Sequence, residues 1–224
     1  MPKQKVPESA AVQDYAKAIY TLEARDGTAS TNALAERLDV RPASVSGMLK
    51  KLDALGLVEH EPYRGVRLTE RGRLVALEVI RHHRLLELFL VESLGMSWDE
   101  VHAEAEVLEH VLSEELEELI AAKLGDPTLD PHGDPIPSRE LTVAPESTRS
   151  LYELEPGAHG VFVRVSDSDP AMLRFLGERG IAPGARLEVV EIQPFDGPIS
   201  VRFGDEVQVL GATLARAMRV EAAA

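Results

Sequence analysis

The chain has no cysteine. That excludes disulfides and thiolate zinc sites together, leaves nitrogen and oxygen as the only donors for a bound metal, and fits the expectation of a cytoplasmic protein. No apolar run reaches the length that spans a bilayer, so a soluble globular chain is expected. The opening Met-Pro-Lys-Gln-Lys leads into no apolar signal core, and no export signal is expected. There is no P-loop, nucleophile elbow or dinucleotide fingerprint, and no internal repeat. Positive charge is also short: 24 Lys and Arg stand against 38 Asp and Glu, a net of −14. Taken whole, that balance argues against a nucleic-acid partner. It is unevenly spread, however. Residues 1–76 carry 12 basic residues against 10 acidic ones, residues 77–150 carry 5 against 17, and residues 151–224 carry 7 against 11. Half of the basic residues lie in the first third, and the acidic middle is what a cation-binding region would show. At 224 residues more than one domain is expected.

Within the acidic middle, His102 to Glu118 reads as one helix free of Gly and Pro, opened by Ser97 as N-cap. His102, Glu106, Glu109 and His110 fall at i, i+4, i+7 and i+8, which places them on an arc of about 100°. Val101, Ala105, Leu108 and Leu112 supply the neighbouring apolar stripe. A solvated acidic face would account for any two of the four polar residues. Two imidazoles and two carboxylates at this spacing point to a divalent metal site.

Upstream, an amphipathic helix is expected from about Glu8 to Arg25, with Val12, Tyr15, Ala16, Ile19 and Leu22 as its stripe and Asp14 beside it. Gly27 ends it, and Ser30 or Thr31 can cap the next. A turn through Asp39-Val40-Arg41-Pro42 leads to a second helix that opens with small polar residues and carries lysines further along. Small residues let a helix seat deeply in the major groove, and hydroxyls can bond phosphates or base edges. Two strands around Pro62-Tyr63-Arg64-Gly65 complete a winged helix-turn-helix. Arg41, Pro42, Ser44, Ser46, Lys50, Lys51 and Arg64 are the candidate DNA contacts. A long helix then runs to about Leu94, suited to a dimer interface and carrying His83 and Glu87 at i, i+4. Residues 126–148, rich in Pro, Asp and Ser, read as a linker outside the core, with His132 structural or solvent-exposed. The last third reads as short strands around one helix capped by Asp169, a compact SH3-like β-barrel. The chain is thus expected to be multi-domain and mainly α: a winged helix-turn-helix over residues 1–76, a helical metal-binding and dimerisation domain over 77–145, and the SH3-like barrel over 150–222.

These residues resemble the diphtheria-toxin-repressor family of metal-dependent transcriptional repressors, and within it the manganese transport regulators. The specific pieces are Ile19-Tyr20-x-Leu22-Glu23, Arg41-Pro42-Ala43-Ser44-Val45-Ser46-Gly47-Met48, Tyr63-Arg64-Gly65-x-x-Leu68-Thr69, His83-Arg84-Leu85-Leu86-Glu87, the His102 to His110 motif and Asp134-Pro135-Ile136-Pro137. The resemblance implies a regulatory metal site at Asp14, Glu106, Glu109 and His110. It implies a second, ancillary site at His83, Glu87 and His102, with Asp169 the nearest match to a ligand from the SH3-like domain. Asp14 and Glu106 stand where the iron-type members have Met and Cys, so the hard oxygens imply Mn²⁺, with Fe²⁺ the alternative. The implied protein is a homodimeric repressor of metal-uptake genes that binds double-stranded operator DNA, with no membrane or small organic substrate as partner. Without a cation the carboxylates of this site are expected to repel one another and the domains to hinge. A di-metal carboxylate enzyme is the other reading of such a bundle, commonly built on Glu-x-x-His from two helices. No glutamate stands three residues before His83, His102 or His110, and no enzyme is expected.

Overall fold

The structure, a computed structural model, describes residues 9–61, 65–144, 147–167 and 169–222. It comprises two compact units. The first holds Met1–His83, Glu106–Glu117 and Pro137–Thr142, and the second Arg84–Ala105, Glu118–Ile136 and Val143–Ala224.

In the first unit, α1 (Ala10–Asp26) buries the stripe read from the sequence, Val12, Tyr15, Ala16, Ile19 and Leu22. Gly27 stops it in the left-handed region at φ 80°, and the Gly27 N–H returns to Glu23 O. Ser30 caps α2 (Thr31–Arg37) by accepting from the Ala33 N–H. Pro42, with its fixed φ, opens α3 (Pro42–Ala54), which turns Val45, Leu49 and Leu52 into the same core. Strands β1 (Val58–Glu61) and β2 (Gly65–Leu68) pair antiparallel with Val58 opposite Leu68 and Glu61 opposite Gly65. Gly65 is required there: at φ 126° a Cβ would lie 2.1 Å from Ala29 O. That close approach lets Ala29 and Val66 exchange two 3.0 Å backbone hydrogen bonds, which fasten the wing to the chain leaving α1. The turn residues Pro62, Tyr63 and Arg64 lie outside the described residues. Thr69 opens α4 (Glu70–Leu94), its Oγ1 accepting from Gly72 N.

The single helix expected from His102 to Glu118 is two helices. α5 spans Val101–Leu108 and α6 spans Glu114–Lys123, with Glu109, His110 and Val111 in a turn between them. Ser113 accounts for the restart, since its Oγ accepts from Leu116 N and its carbonyl from Glu117 N. Glu114, Glu115 and Glu117 in the first turn of α6 face the positive end of the helix dipole. The arc drawn through four ligands on one helix is therefore not the geometry of this chain.

In the second unit, six strands form one antiparallel sheet in the order β3 (Arg149–Ser150), β8 (Met218–Ala222), β4 (His159–Val165), β5 (Arg186–Ile192), β6 (Ile199–Phe203) and β7 (Glu206–Leu210). Helices α7 (Pro170–Gly177) and α8 (Ala212–Ala217) pack Leu173, Leu176 and Leu214 into a core with Phe162, Val189, Ile199 and Met218. Among the described residues β3 and β7 are unjoined edges, so the β-rich domain is an open sheet and not the expected closed barrel. The physical reason is the shortness of β3, whose two residues reach only β8. The linker expected over residues 126–148 is in part built into this unit. Gly133, at φ 87°, passes so close to Val163 O that a Cβ would stand 1.8 Å away, and His132 O accepts from Val165 N. Among the described residues no helix is long and apolar enough to cross a membrane.

Candidate functional site

Among the described residues, candidate ligands are assembled in both units. In the first, α1 brings Asp14 to the turn after α5. One donor atom each from Asp14, Glu109 and His110 lies within 4.8 Å of the others, and the same holds for His83, Glu106 and Glu109. His110 Nε2 is 3.0 Å from Asp14 Oδ1 and 3.7 Å from Glu109 Oε1. Its other nitrogen, Nδ1, donates to Gln13 Oε1 at 2.6 Å. That bond fixes the ring and leaves Nε2 as the atom aimed at the carboxylates, the usual arrangement for a metal-binding imidazole. His83 Nδ1 lies 2.5 Å from Glu109 Oε2. Lys17 Nζ lies 2.7 Å from Glu106 Oε1 and 2.8 Å from Glu109 Oε2. Burial raises the Asp14 pKa, and Glu109 and Glu106 raise it further against the pull of His110 and Lys17.

The turn carrying Glu109 and His110 is held from behind. His82 Nδ1 donates to the Glu109 carbonyl at 3.1 Å, and His82 Nε2 to Glu117 Oε2 at 3.1 Å. Glu117 also accepts from Arg81 Nε at 2.5 Å, while Arg81 Nη1 donates to Pro137 O. Burial opposes ionisation of Glu117, yet His82 and Arg81 together hold its carboxyl down at about 2.

In the second unit, Glu87, His102 and Asp167 converge. His102 Nδ1 lies 3.0 Å from Asp167 Oδ2 and 3.3 Å from Glu87 Oε1. A carboxylate from the segment before α7 reaches His102, that of Asp167. Asp169 caps α7, its side chain accepting from Ala171 N. Glu87 also adjoins Asp130 and His132, a wholly buried trio with donor atoms within 4.8 Å. His132 is not solvent-exposed but fully buried, its ring stacked on Trp98. Its Nε2 donates to Trp98 O at 2.7 Å, and its Nδ1 has no hydrogen-bond partner among the described residues, standing 3.6 Å from Glu87 Oε2. Asp130 Oδ1 accepts from the N–H groups of His132 and Asp134, which shapes the loop. Burial, with Asp134 and Glu87 beside it, pushes the Asp130 carboxyl up to about 8. A donor set of carboxylates with an orphaned imidazole nitrogen suits a hard or borderline divalent cation.

The outward face of α3 is polar and basic. Arg41, Pro42, Ser44, Ser46, Lys50 and Lys51 are all exposed, opposite the buried Val45, Leu49 and Leu52. Arg64 lies outside the described residues.

Comparison with known proteins matches residues 9–66 to the N-terminal DNA-binding domain of iron-dependent repressors, residues 69–138 to their metal-binding and dimerisation domain, and residues 149–222 to the FeoA domain. The iron-dependent repressor IdeR of Mycobacterium tuberculosis is 37% identical over 219 residues, covering 92% of this chain and 95% of its own. The diphtheria toxin repressor of Corynebacterium efficiens is 30% identical over 220 residues, covering 92% and 93%. The chain belongs to the iron-dependent (diphtheria toxin) repressor family. Among solved structures, a manganese-dependent transcriptional repressor in complex with manganese is similar at TM-score 0.88 and 44% identity, covering 95% of this chain and 100% of that one. The manganese regulator SloR is similar at TM-score 0.78 and 31% identity, covering 95% and 98%. As a member of this family the chain is a metal-dependent, DNA-binding transcriptional repressor with an SH3-like C-terminal domain, and not an enzyme.

Reading the sequence as that of a repressor passed over Gln13, His82, Asp130, His132 and Asp167. Gln13 had a usable signal in its place beside Asp14, and the others depend on tertiary neighbours.

One pH effect follows from the second group. Hydrogen bonds donated by His102 to the carboxylates of Asp167 and then Glu87 lift its pKa from 6.5 to about 10 against burial. The pairing therefore stabilises the folded protein fully below pH about 6.5 and is lost as pH rises towards 10. A cation taking His102 Nδ1 must displace that proton. Loading the repressor with Mn²⁺ at pH 7.5 in dilute buffer is expected to release protons, and His102→Ala to release fewer, as read with an indicator dye. Equal release by both proteins would remove His102 from the ligands.

Proposed function

We propose that this chain is a Mn²⁺-responsive homodimeric repressor of metal-uptake genes, acting in the cytoplasm on double-stranded operator DNA. Its domains in this reading are residues 1–76, 77–145 and 150–222, the last an open-sheet SH3-like module. The regulatory ion is held by Asp14, Glu106, Glu109 and His110. A second ion is held by Glu87, His102 and Asp167, with Asp130 and His132 adjoining Glu87. The observation that carries the proposal is the meeting of Asp14, from α1 of the same unit as α3, with Glu109 and His110, in a donor set without sulfur. A divalent cation supplies positive charge that draws these carboxylates together. Asp14 then passes the position of α1 to the helices packed on it, and the two α3 helices of a dimer are held at a spacing that suits two half-sites. The coupling is reciprocal, so operator DNA tightens metal binding by the same factor.

Fe²⁺ is the second reading, supported by the 37% identity to an iron-dependent repressor. Gel shifts on upstream DNA of metal transporters, titrated separately with Mn²⁺ and Fe²⁺ without oxygen, decide between them. A response to Fe²⁺ at levels where Mn²⁺ is silent would reject manganese.

The DNA face has its own test. Lys50→Ala is expected to weaken binding to all sequences alike and to reduce the slope of log affinity against log salt by roughly one. A changed base preference at constant slope would give Lys50 a base-reading role instead.

A further inference from the structure

The regulatory group already holds a cation, and it is part of the chain. Lys17 Nζ lies 2.7 Å from Glu106 Oε1, 3.0 and 2.8 Å from the two oxygens of Glu109, and 3.1 Å from His83 Nδ1. The Lys17 side chain is 16% exposed and that of Glu109 is 0% exposed. Lys17 sits on α1 one turn after Asp14, so the same helix offers the acidic turn both a ligand and a competitor for its ligands. The repulsion expected between the metal-free carboxylates is offset here by an ammonium, which compensates Glu106 and Glu109.

We propose that Lys17 is a tethered competitor of the regulatory metal ion, and that its hold on Glu106 and Glu109 sets the metal concentration at which the repressor responds. This rests on the proposed regulatory site at Asp14, Glu106, Glu109 and His110. Glu109 serves both donor groups in this unit, and both of its oxygens face the ammonium. An incoming ion must take over oxygens that Lys17 now occupies. Both cations compensate Glu106 and Glu109, but only a divalent one can also take Asp14 and His110 as ligands. A metal-free site that is already charge-compensated gains less from the ion, so the response begins at higher metal concentration than the donor set alone would give.

The test compares wild type with Lys17→Gln, Lys17→Arg and Asp14→Ala, measuring Mn²⁺ binding directly by equilibrium dialysis. Lys17→Gln is expected to lower the Mn²⁺ midpoint by at least about tenfold, because a unit charge a few ångströms from the ion has been removed. Lys17→Arg keeps the charge and is expected to stay near wild type. A midpoint for Lys17→Gln equal to or above that of wild type overturns the proposal. Mn²⁺ binding by Asp14→Ala that matches wild type rejects the regulatory site itself, a separate failure. A second measurement needs no variant: reductive methylation of the wild type, read by peptide mass spectrometry. Mn²⁺ is expected to speed labelling of Lys17 and leave Lys50 and Lys51 unchanged, because the ion frees the ammonium. Labelling of Lys17 that is equal or slower with Mn²⁺ would overturn the proposal even if Lys17→Gln did not fold.

Discussion

Glu109→Ala is expected to abolish the metal response, with operator affinity at saturating Mn²⁺ falling to its metal-free level. Glu109 is 1% exposed and takes part in both donor groups of its unit, and its carboxylate meets Lys17, His83 and His110. Outer-shell partners of metal ligands are each worth about 10–100-fold in affinity, so loss of a shared ligand should cost at least about a hundredfold. The metal-free protein should lose stability too. Removing one member of a buried ion pair costs about 3–5 kcal/mol, and since Lys17 keeps Glu106 the expected loss is nearer about 2 kcal/mol. Glu109→Gln keeps the shape and should separate the two effects, staying closer to wild type in thermal melting while remaining deaf to Mn²⁺. The measurement is a Mn²⁺ titration of operator binding beside a melting curve. A wild-type midpoint in Glu109→Ala would remove this residue from the site.

The second large effect concerns which ion acts. Mn²⁺ lies lowest in the Irving–Williams order, so a site cannot select it by raw affinity and must rely on ligand type and geometry. Asp14 and Glu106 are the two positions where oxygen can be exchanged for sulfur while Glu109 and His110 stay. The double change Asp14→Met with Glu106→Cys is expected to raise the Mn²⁺ midpoint by about a hundredfold, because thioether and thiolate favour softer and later ions. Fe²⁺ and Co²⁺ responses should be kept or improved, with the dimer intact by sedimentation. The assay is operator affinity with each metal in turn, without oxygen. An unchanged preference for Mn²⁺ would mean that geometry, and not donor type, makes the choice.

Much of this arrangement was legible because its signals are local. The stripe from Val12 to Leu22, Gly27 as helix stop and Ser30 as cap all act within one turn of chain, and each does as expected, while Pro42, read as the end of a turn, opens α3. Misreadings arose where a local signal competed with a distant one. Ser113 followed by three glutamates within four residues is a helix start, but the run of good helix formers from His102 onward masked it. Asp169 before Pro170 is a strong local cap, and that role holds. Asp167 joins His102 only because β4 delivers it there, which no spacing rule reveals. His132 stands among prolines and aspartates that read as solvated turn, and its burial depends on Trp98, Glu87 and the close passage of Gly133 under β4. Five of the six strands in the last third followed from alternation, whereas β3, with two residues, is too short for alternation to show.

The sulfur-free character of the Asp14, Glu106, Glu109 and His110 group has a consequence for life under oxidative stress. A thiolate ligand is itself a fuse: peroxide converts it to sulfenic acid and the sensor fails. Carboxylates and imidazoles offer peroxide no such step, and the chain has no cysteine elsewhere to oxidise. A response of this site to peroxide would therefore pass through the ion. A ferrous ion could be oxidised in place, whereas a manganous ion resists that change, so the same protein would answer to peroxide or stay steady through it according to the cation it carries.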